Sequence, residues 1–292
     1  MNSVIFKSSI VFVFCCMLYS LLISKVELQD YKPINQLQGN LISKEDFYFD
    51  DAQKNTHYLV GSSLTYRLKE NYLPDYYENL SMGGSSSLNG LSILASKDIV
   101  PKVLIVETNI LTRTKNLISV RQGVKKKLFG VEEEFIKSNL KITRQKYQPV
   151  SFVLNLGYSV LRKGQSVEQV SVSPKAKALM QKKQAEEYSL EVEQDSSMLV
   201  IMDNLQYYLD YYIDKGTCVV FMEMPISCDI SSSPKAVSSR KLMRAFFPPS
   251  EYDYMDTIEC DSIATTDGTH LDSDSARMMI DHILRELEKN RC

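Results

Sequence analysis

Three short runs of apolar residues constrain the fold of this 292-residue chain more than any other feature of its sequence. They lie at 57–61, 102–107 and 217–224. Their apolar residues are consecutive rather than alternating, which is typical of strands that are covered on both faces. Helical patterns at 197–214 and 273–289 lie between and after these runs. Because strands alternate with helices, we expect an α/β fold, a three-layer sandwich with a mostly parallel sheet.

The stretch at about 111–190 departs from this rhythm and predicts a largely helical insertion between the second and third strands. Between residues 111 and 147 it carries ten Lys or Arg residues against three Glu. Such a run is either a solvated helical face or a surface for an anionic glycan, a membrane phosphate or a partner protein. The whole chain has a net charge of only −2, and the basic residues are not interleaved with aromatic residues for base stacking. We therefore expect no binding to nucleic acid.

Residues 1–25 predict a membrane segment, because seventeen residues without charge, 8–24, are flanked by Lys7 and Lys25. As a helix they would extend about 25 Å, slightly less than a bilayer core of roughly 30 Å, and the lysines can reach the interface. We expect a signal anchor, with a cleaved signal peptide or a buried helix as alternatives, and then a polar linker at 26–56. A short N-terminal tail usually stays in the cytoplasm. The expected protein is thus a single-pass inner-membrane protein whose domain at 57–292 lies in the periplasm or outside the cell.

The six cysteines are too sparse for a disulfide scaffold, and the sequence has no C-x-x-C motif. One bridge among Cys218, Cys228 and Cys260 is compatible with the sequence, and so are free buried thiols. Because ligands at zinc spacing are missing, we expect no metal and no cofactor.

The chain has three histidines, so any imidazole chemistry must use His57, His270 or His282. His57 begins the first predicted strand and His282 lies in the middle of the last predicted helix, and both positions are typical of structural residues. His270 follows Asp267 by three positions on a loop, where the carboxylate can contact ring Nδ1 and leave Nε2 directed elsewhere. His270 is therefore the leading candidate for a general base. The alternative is an ordinary Asp-Gly turn in which His270 has no special role.

Hydroxyl and amide groups follow the predicted strands, at the sheet edge where α/β proteins form their sites. Ser63 comes just after Gly61, although a serine in this position is also a common helix N-cap. Thr65 occupies the last glycine position of Gly-x-Ser-x-Gly, which argues against an α/β-hydrolase elbow. A glycine-containing loop at 79–87 can offer backbone N–H groups, and Asn109 can add a side-chain amide, although both are also ordinary loop residues.

The order of these elements resembles the SGNH (GDSL-type) hydrolase superfamily. They are Gly-x-Ser-Leu-Thr after the first strand, a glycine loop, an asparagine at a strand end and a late Asp-x-x-His before a helix. The resemblance covers about residues 57–110 and 200–290 and implies an SGNH/flavodoxin-like sandwich. It assigns Ser63 as the nucleophile, and Gly84 and Asn109 as the oxyanion donors. It assigns His270 as the general base and Asp267 as the acid that orients it.

The sequence departs from the SGNH pattern at two places. Ser62 stands where the first motif usually has Asp, and Glu107-Thr-Asn-Ile110 replaces the usual Gly-x-Asn-Asp. The triad needs neither of the missing residues. These departures, the N-terminal segment and the insertion indicate a divergent membrane-anchored branch similar to the proteins of bacterial envelope polysaccharide O-acetylation.

The resemblance implies a serine-dependent acyl ester hydrolase or O-acetyltransferase that acts on an envelope polysaccharide or a similar glycan. Its partners would be the acylated glycan or another ester, the membrane, and a membrane-bound acyltransferase or a polysaccharide-assembly protein. Two alternatives remain open. One is a non-catalytic envelope protein that keeps the fold and binds glycan or a membrane partner, and the other is a cytoplasmic lipase-like enzyme.

Overall fold

The chain forms two compact units. One comprises 1–51 and 122–169, and the other comprises 52–121 and 170–292. The predicted insertion at about 111–190 is therefore divided between the two units, and its central part belongs with the N-terminal segment. The residues that this computed structural model describes are 2–25, 31, 33–49, 56–69, 72–110, 127–128, 131–161 and 173–289.

The helices and the strands of the main sheet are numbered separately in chain order. The helices are α1 (Asn2–Lys25), α2 (Gln36–Phe49), α3 (Ser87–Ser96), α4 (Glu133–Asn139), α5 (Pro149–Leu161), α6 (Pro174–Tyr188), α7 (Ser196–Asp214), α8 (Cys228–Ser231), α9 (Pro234–Phe246) and α10 (Ser273–Lys289). The strands are β1 (His57–Val60), β2 (Tyr77–Asn79), β3 (Val103–Glu107), β4 (Cys218–Met222) and β5 (Asp253–Tyr254).

The larger unit is built on these five strands, which pair in the order β2-β1-β3-β4-β5. Every neighbouring pair is parallel. This is the flavodoxin-like strand order, in which the chain leaves β1 towards one side of the sheet and β3 towards the other. The predicted strands at 57–61, 102–107 and 217–224 are confirmed as β1, β3 and β4. Strands β2 and β5 are only three and two residues long, too short to leave a pattern in the sequence.

Helices cover both faces of the sheet. On one face, the buried side chains of Ile105 and Val220 share a core with Ile280 and neighbouring residues of α10. On the other face, α3 packs closely on β1, and the hydroxyl of Tyr212 in α7 donates to the carbonyl of Leu91 in α3 (3.0 Å). The prediction of a three-layer α/β fold with a mostly parallel sheet is confirmed.

The smaller unit combines α1 and α2 with α4, α5 and a short antiparallel pair of strands, Lys127–Leu128 and Val131–Glu132. Helix α2 lies within the predicted linker at 26–56. The carboxylate of Glu45 in α2 accepts hydrogen bonds from Lys137 Nζ (2.7 Å) and from the backbone N–H of Gln145 (2.6 Å). Helix α1 is long and apolar enough to span a membrane.

Three cysteines in the described part of the larger unit are oxidised. Cys228 and Cys260 form a disulfide, and Cys218 is also disulfide-bonded. Cys15 and Cys16 in α1 are free thiols. Of the two sequence alternatives, the structure therefore has the bridge among the three later cysteines rather than free buried thiols.

Candidate active site

The candidate site lies at the carboxyl ends of β1 and β3. These strands are neighbours in the sheet, with Val60 paired to Val106 near their ends. The chain turns away from β1 and β3 in opposite directions, and such a switch point is where open α/β sheets commonly bind their ligands. Ser63 is on the loop after β1, and Asn109 is on the loop after β3.

A chain of hydrogen bonds joins Ser63, His270 and Asp267. The distance from Ser63 Oγ to His270 Nε2 is 3.0 Å, and the distance from His270 Nδ1 to Asp267 Oδ2 is 2.7 Å. A carboxylate is an acceptor only, so in the neutral imidazole that a general base requires, Nδ1 carries the proton and Nε2 presents its lone pair to the serine hydroxyl. The structure thus brings together all three residues of the predicted triad across a sequence separation of 207.

The other oxygen of Asp267 holds the loop that carries the imidazole. Oδ1 accepts hydrogen bonds from the backbone N–H groups of His270 (2.8 Å) and Thr269 (3.0 Å) and from the Thr269 hydroxyl (3.1 Å). Burial opposes the charge, but the hydrogen bonds and the His270 ring outweigh it and hold the pKa of Asp267 well below its usual range. Asp267 therefore stays ionised and fixes the orientation of the ring.

Gly268 is required at the tip of this loop. Its φ of 97° is a conformation that favours glycine, and an added Cβ would lie 2.8 Å from Cδ1 of Ile230 in α8. The carbonyl of Gly268 accepts a hydrogen bond from the N–H of Ser227 (2.9 Å), just before α8. The loop is therefore seated on α8, whose Cys228 is bridged to Cys260 a few residues before the loop begins.

Glu107 lies beneath the loop that carries Ser63. Its Oε1 accepts a hydrogen bond from the hydroxyl of Ser62 (2.6 Å), and its Oε2 accepts from the N–H of Ser62 (2.7 Å) and the hydroxyl of Thr65 (2.5 Å). The side chain is buried. An added Cβ at Gly61 would lie 2.5 Å from Oε2, so a residue without a side chain is needed where the carboxylate approaches the turn.

Two of the residues that depart from the SGNH pattern, Ser62 and Glu107, are therefore in direct contact. The pattern has a carboxylate at position 62 and glycine at 107, whereas this chain has a hydroxyl at 62 and a carboxylate at 107. In this chain a carboxylate of the adjacent strand binds the loop that carries Ser63. Burial raises the pKa of Glu107 above its usual range, and the hydrogen bonds from Ser62 and Thr65 oppose that rise.

Sequence reasoning did not identify Glu107 as a site residue. A signal was present, because both departures fall at the carboxyl ends of β1 and β3, which the α/β prediction makes candidates for neighbours. To predict that the two residues are in contact, one must know the strand order, which the residues alone do not specify.

Gly84 and Asn109 lie in the loops after β2 and β3 and make no hydrogen bond to the triad within the described residues. The Asn109 amide is fixed by Met224, because Nδ2 donates to its carbonyl (2.9 Å) and Oδ1 accepts from its N–H (2.7 Å). One Nδ2 hydrogen of Asn109 remains for another acceptor. Gly84 is exposed with a φ of 72°. In the part of the chain that is described, the N–H groups of Gly84 and Ser63 have no acceptor.

The other two histidines have structural partners. His57 Nδ1 lies 2.8 Å from the hydroxyl of Thr56, and its ring packs against Tyr76 and Tyr77. His282 Nε2 lies 2.7 Å from the carbonyl of Asp256. Neither makes a hydrogen bond to the triad, and the described residues hold no cluster of three metal-ligating side chains.

Comparison of the chain with protein-family models, curated proteins and solved structures found no match. Its chemistry is therefore indicated by the side chains at the carboxyl edge of the sheet. Among them, the hydrogen-bonded series Ser63–His270–Asp267 is the most specific, because serine nucleophiles are activated by a base that a third group orients.

Proposed function

We propose that this protein is an acyl-transfer enzyme of the SGNH type, acting through Ser63, His270 and Asp267. The observation that carries this proposal is the pair of hydrogen bonds to His270, 3.0 Å from Ser63 Oγ and 2.7 Å from Asp267 Oδ2. Together they supply a nucleophile, a base with a free lone pair and an ionised group that orients the base.

In the first half of the reaction, His270 Nε2 takes the proton of the Ser63 hydroxyl while Oγ attacks the carbonyl carbon of an ester. The negative charge that develops on the carbonyl oxygen is stabilised by the N–H groups of Ser63 and Gly84 and by the free amide hydrogen of Asn109. The protonated His270 then gives its proton to the leaving alcohol, and an acyl-serine remains.

In the second half, His270 deprotonates an acceptor hydroxyl, which attacks the acyl-serine and releases Ser63 with its proton restored. Water as the acceptor gives an esterase, and a sugar hydroxyl gives an O-acetyltransferase. Water exclusion and acceptor binding decide between them.

The setting that we propose is the cell envelope, with α1 as an anchor and the larger unit outside the cytoplasm. The length and apolar composition of α1 support anchoring. Disulfides at Cys218 and Cys228 support an oxidising compartment, because such bonds are rare in the cytoplasm. An acylated envelope glycan is the substrate we favour, with a membrane-bound acyltransferase or a polysaccharide-assembly protein as partner.

The test is labelling of the full chain in detergent with a fluorophosphonate, followed by mapping of the labelled peptide. We expect label on Ser63 in the wild-type protein, none on Ser63 in Ser63→Ala, and loss of labelling in His270→Ala. His282→Ala is the matched control, because its ring nitrogen pairs with the carbonyl of Asp256 rather than with the triad, and it should label normally. Turnover of a small acetyl ester should likewise be normal in the wild-type protein and His282→Ala and be lost in Ser63→Ala and His270→Ala.

A folded wild-type protein that takes no label and shows no turnover would contradict the enzyme proposal. A non-catalytic envelope protein that binds glycan would then be favoured, and Ser63→Ala would remain fully functional in cells. Far-UV circular dichroism of each variant separates loss of chemistry from loss of fold.

A further inference from the structure

Helix α5 has the reverse of the polarity expected for a helix on a water-soluble surface. Its polar residues Ser151 and Asn155 are buried, whereas Val150, Val153 and Leu154 have 70%, 62% and 47% of their surface exposed. A helix in water directs its apolar residues inward. The reverse arrangement is typical of a helix in contact with lipid, where polar groups must find partners inside the protein.

The buried polar groups of α5 do have such partners. Gln38 Nε2 of α2 donates to the hydroxyl of Ser151 (2.7 Å), and Asn155 Nδ2 donates to the carbonyl of Ser151 (2.9 Å). No residue of α5 from 149 to 161 is charged. The exposed side chains of Val150, Val153 and Leu154 on this helix are therefore favourable to place against acyl chains.

Helix α5 packs against the part of α1 that precedes the flanking Lys25. The hydroxyl of Tyr19 donates to the carbonyl of Tyr147 (2.8 Å), and the rings of Tyr19 and Phe152 meet edge to face at 5.7 Å. Tyr19 is six residues before Lys25, about 9 Å along the helix. With Lys25 at the membrane surface, the start of α5 lies on the lipid side of that surface.

Helix α2 has a matching polarity along its length. Ile34, two residues before α2, and Leu37, in its first turn, are 59% and 68% exposed. Glu45 and Asp46 of α2, which pair with Lys137 and Lys146, lie about 12 Å further along the helix than Leu37. Along α2, the exposed apolar residue Leu37 thus lies at one end and the charged residue Glu45 nearer to the other.

From these contacts we propose that α5 lies in the bilayer interface beside the C-terminal end of α1, with Val150, Val153 and Leu154 against lipid acyl chains. The occupant of this face is lipid rather than a second protein, because α5 packs on α1 through Phe152 and Tyr19, and α1 itself exposes apolar residues such as Leu18 and Leu21. The inference rests on the proposed anchoring by α1 but not on the proposed catalysis. It makes α5 a membrane-seated helix rather than part of a solvated insertion.

The test places an environment-sensitive fluorophore on single cysteines of the full chain in phosphatidylcholine vesicles. The background carries Cys15→Ser and Cys16→Ser, and the probe is attached at Val153→Cys or, should that variant misfold, at Val150→Cys. Val200→Cys is the matched control, since Val200 is a 56% exposed valine on α7 of the larger unit. Native Cys15, with only Cys16 replaced, reports on α1 itself.

We expect phosphatidylcholine brominated on its acyl chains to quench the probe at 153 and at Cys15, with blue-shifted emission, and to leave the probe at 200 unchanged. Quenching at Cys15 without quenching at 153 overturns the inference about α5 while the anchor stands. A blue shift at 153 without quenching has the same consequence and indicates a protein partner. If neither the probe at 153 nor the probe at Cys15 is quenched, the proposed anchoring by α1 is overturned as well.

Discussion

Glu107 carries two opposing requirements in one side chain. Its oxygens accept hydrogen bonds from Ser62 and Thr65 and so shape the turn that presents Ser63. Its burial makes the charged form costly, which is why its pKa is raised. A neutral side chain of the same shape would still accept a hydrogen bond from the turn but would not carry the cost of a buried charge.

We therefore expect Glu107→Gln to fold and to keep Ser63 reactive. The amide oxygen can accept from the N–H of Ser62, and the amide nitrogen can donate to the Ser62 hydroxyl. Glu107→Ala removes the acceptor of several buried donors and should lower the free energy of unfolding by about 3 kcal/mol, with loss of Ser63 labelling. Far-UV circular dichroism measures the unfolding, since the chain has no Trp.

The difference in stability between the wild-type protein and Glu107→Gln should depend on pH. Between the unfolded pKa of Glu, about 4.3, and the raised folded pKa, the native state binds more protons than the unfolded state, so stability falls as pH rises. We expect Glu107→Gln to lack this decline, so that its stability relative to wild type improves with increasing pH. A constant difference across that range would contradict a raised pKa at Glu107.

At the scale of the elements, the triad depends on loops rather than on the strands themselves. The loop from Asp267 to His270 is seated on α8, and the disulfide between Cys228 and Cys260 joins α8 to the chain that enters the loop. The disulfide closes a loop of 32 residues, for which chain-entropy arguments give roughly 3–4 kcal/mol of stabilisation. It therefore stabilises the support of the imidazole as well as the fold.

Replacing both Cys228 and Cys260 by alanine should lower the unfolding free energy by roughly 3–4 kcal/mol. It should also reduce the rate of Ser63 labelling at temperatures where the protein is still folded. The control is the double replacement of Cys15 and Cys16 by serine, which removes two thiols without touching a bridge. A labelling rate equal to wild type would show that the loop holds His270 without the bridge.

The elements that could be predicted from the sequence are those with a local pattern. The strands β1, β3 and β4 are each a consecutive apolar run, and the pairing of Asp267 with His270 is a local contact on one loop. The association of α2 with residues 137–151 joins segments about one hundred positions apart, and neither carries a strong pattern. Hydrogen bonds such as Glu45 to Lys137 depend on tertiary contacts that no local pattern encodes.

For the molecule as a whole, charge does not decide which side of the membrane holds the catalytic unit. Lys7 and the amino terminus are balanced by Lys25 and Lys32, and the many basic residues of 111–147 are too far from α1 in sequence to count reliably. The disulfide of Cys228 favours an oxidising side instead.

We accordingly expect Val200→Cys, in a background with Cys15→Ser and Cys16→Ser, to react with a membrane-impermeant maleimide in intact bacterial spheroplasts. Val200 belongs to the larger unit and is exposed, so only the membrane could protect it. Ser3→Cys, at the exposed start of α1, serves as the opposite control and should react only after lysis. The reverse pattern would place the larger unit in the cytoplasm. A glycan of the envelope would then be out of reach, and an intracellular ester would become the substrate to seek.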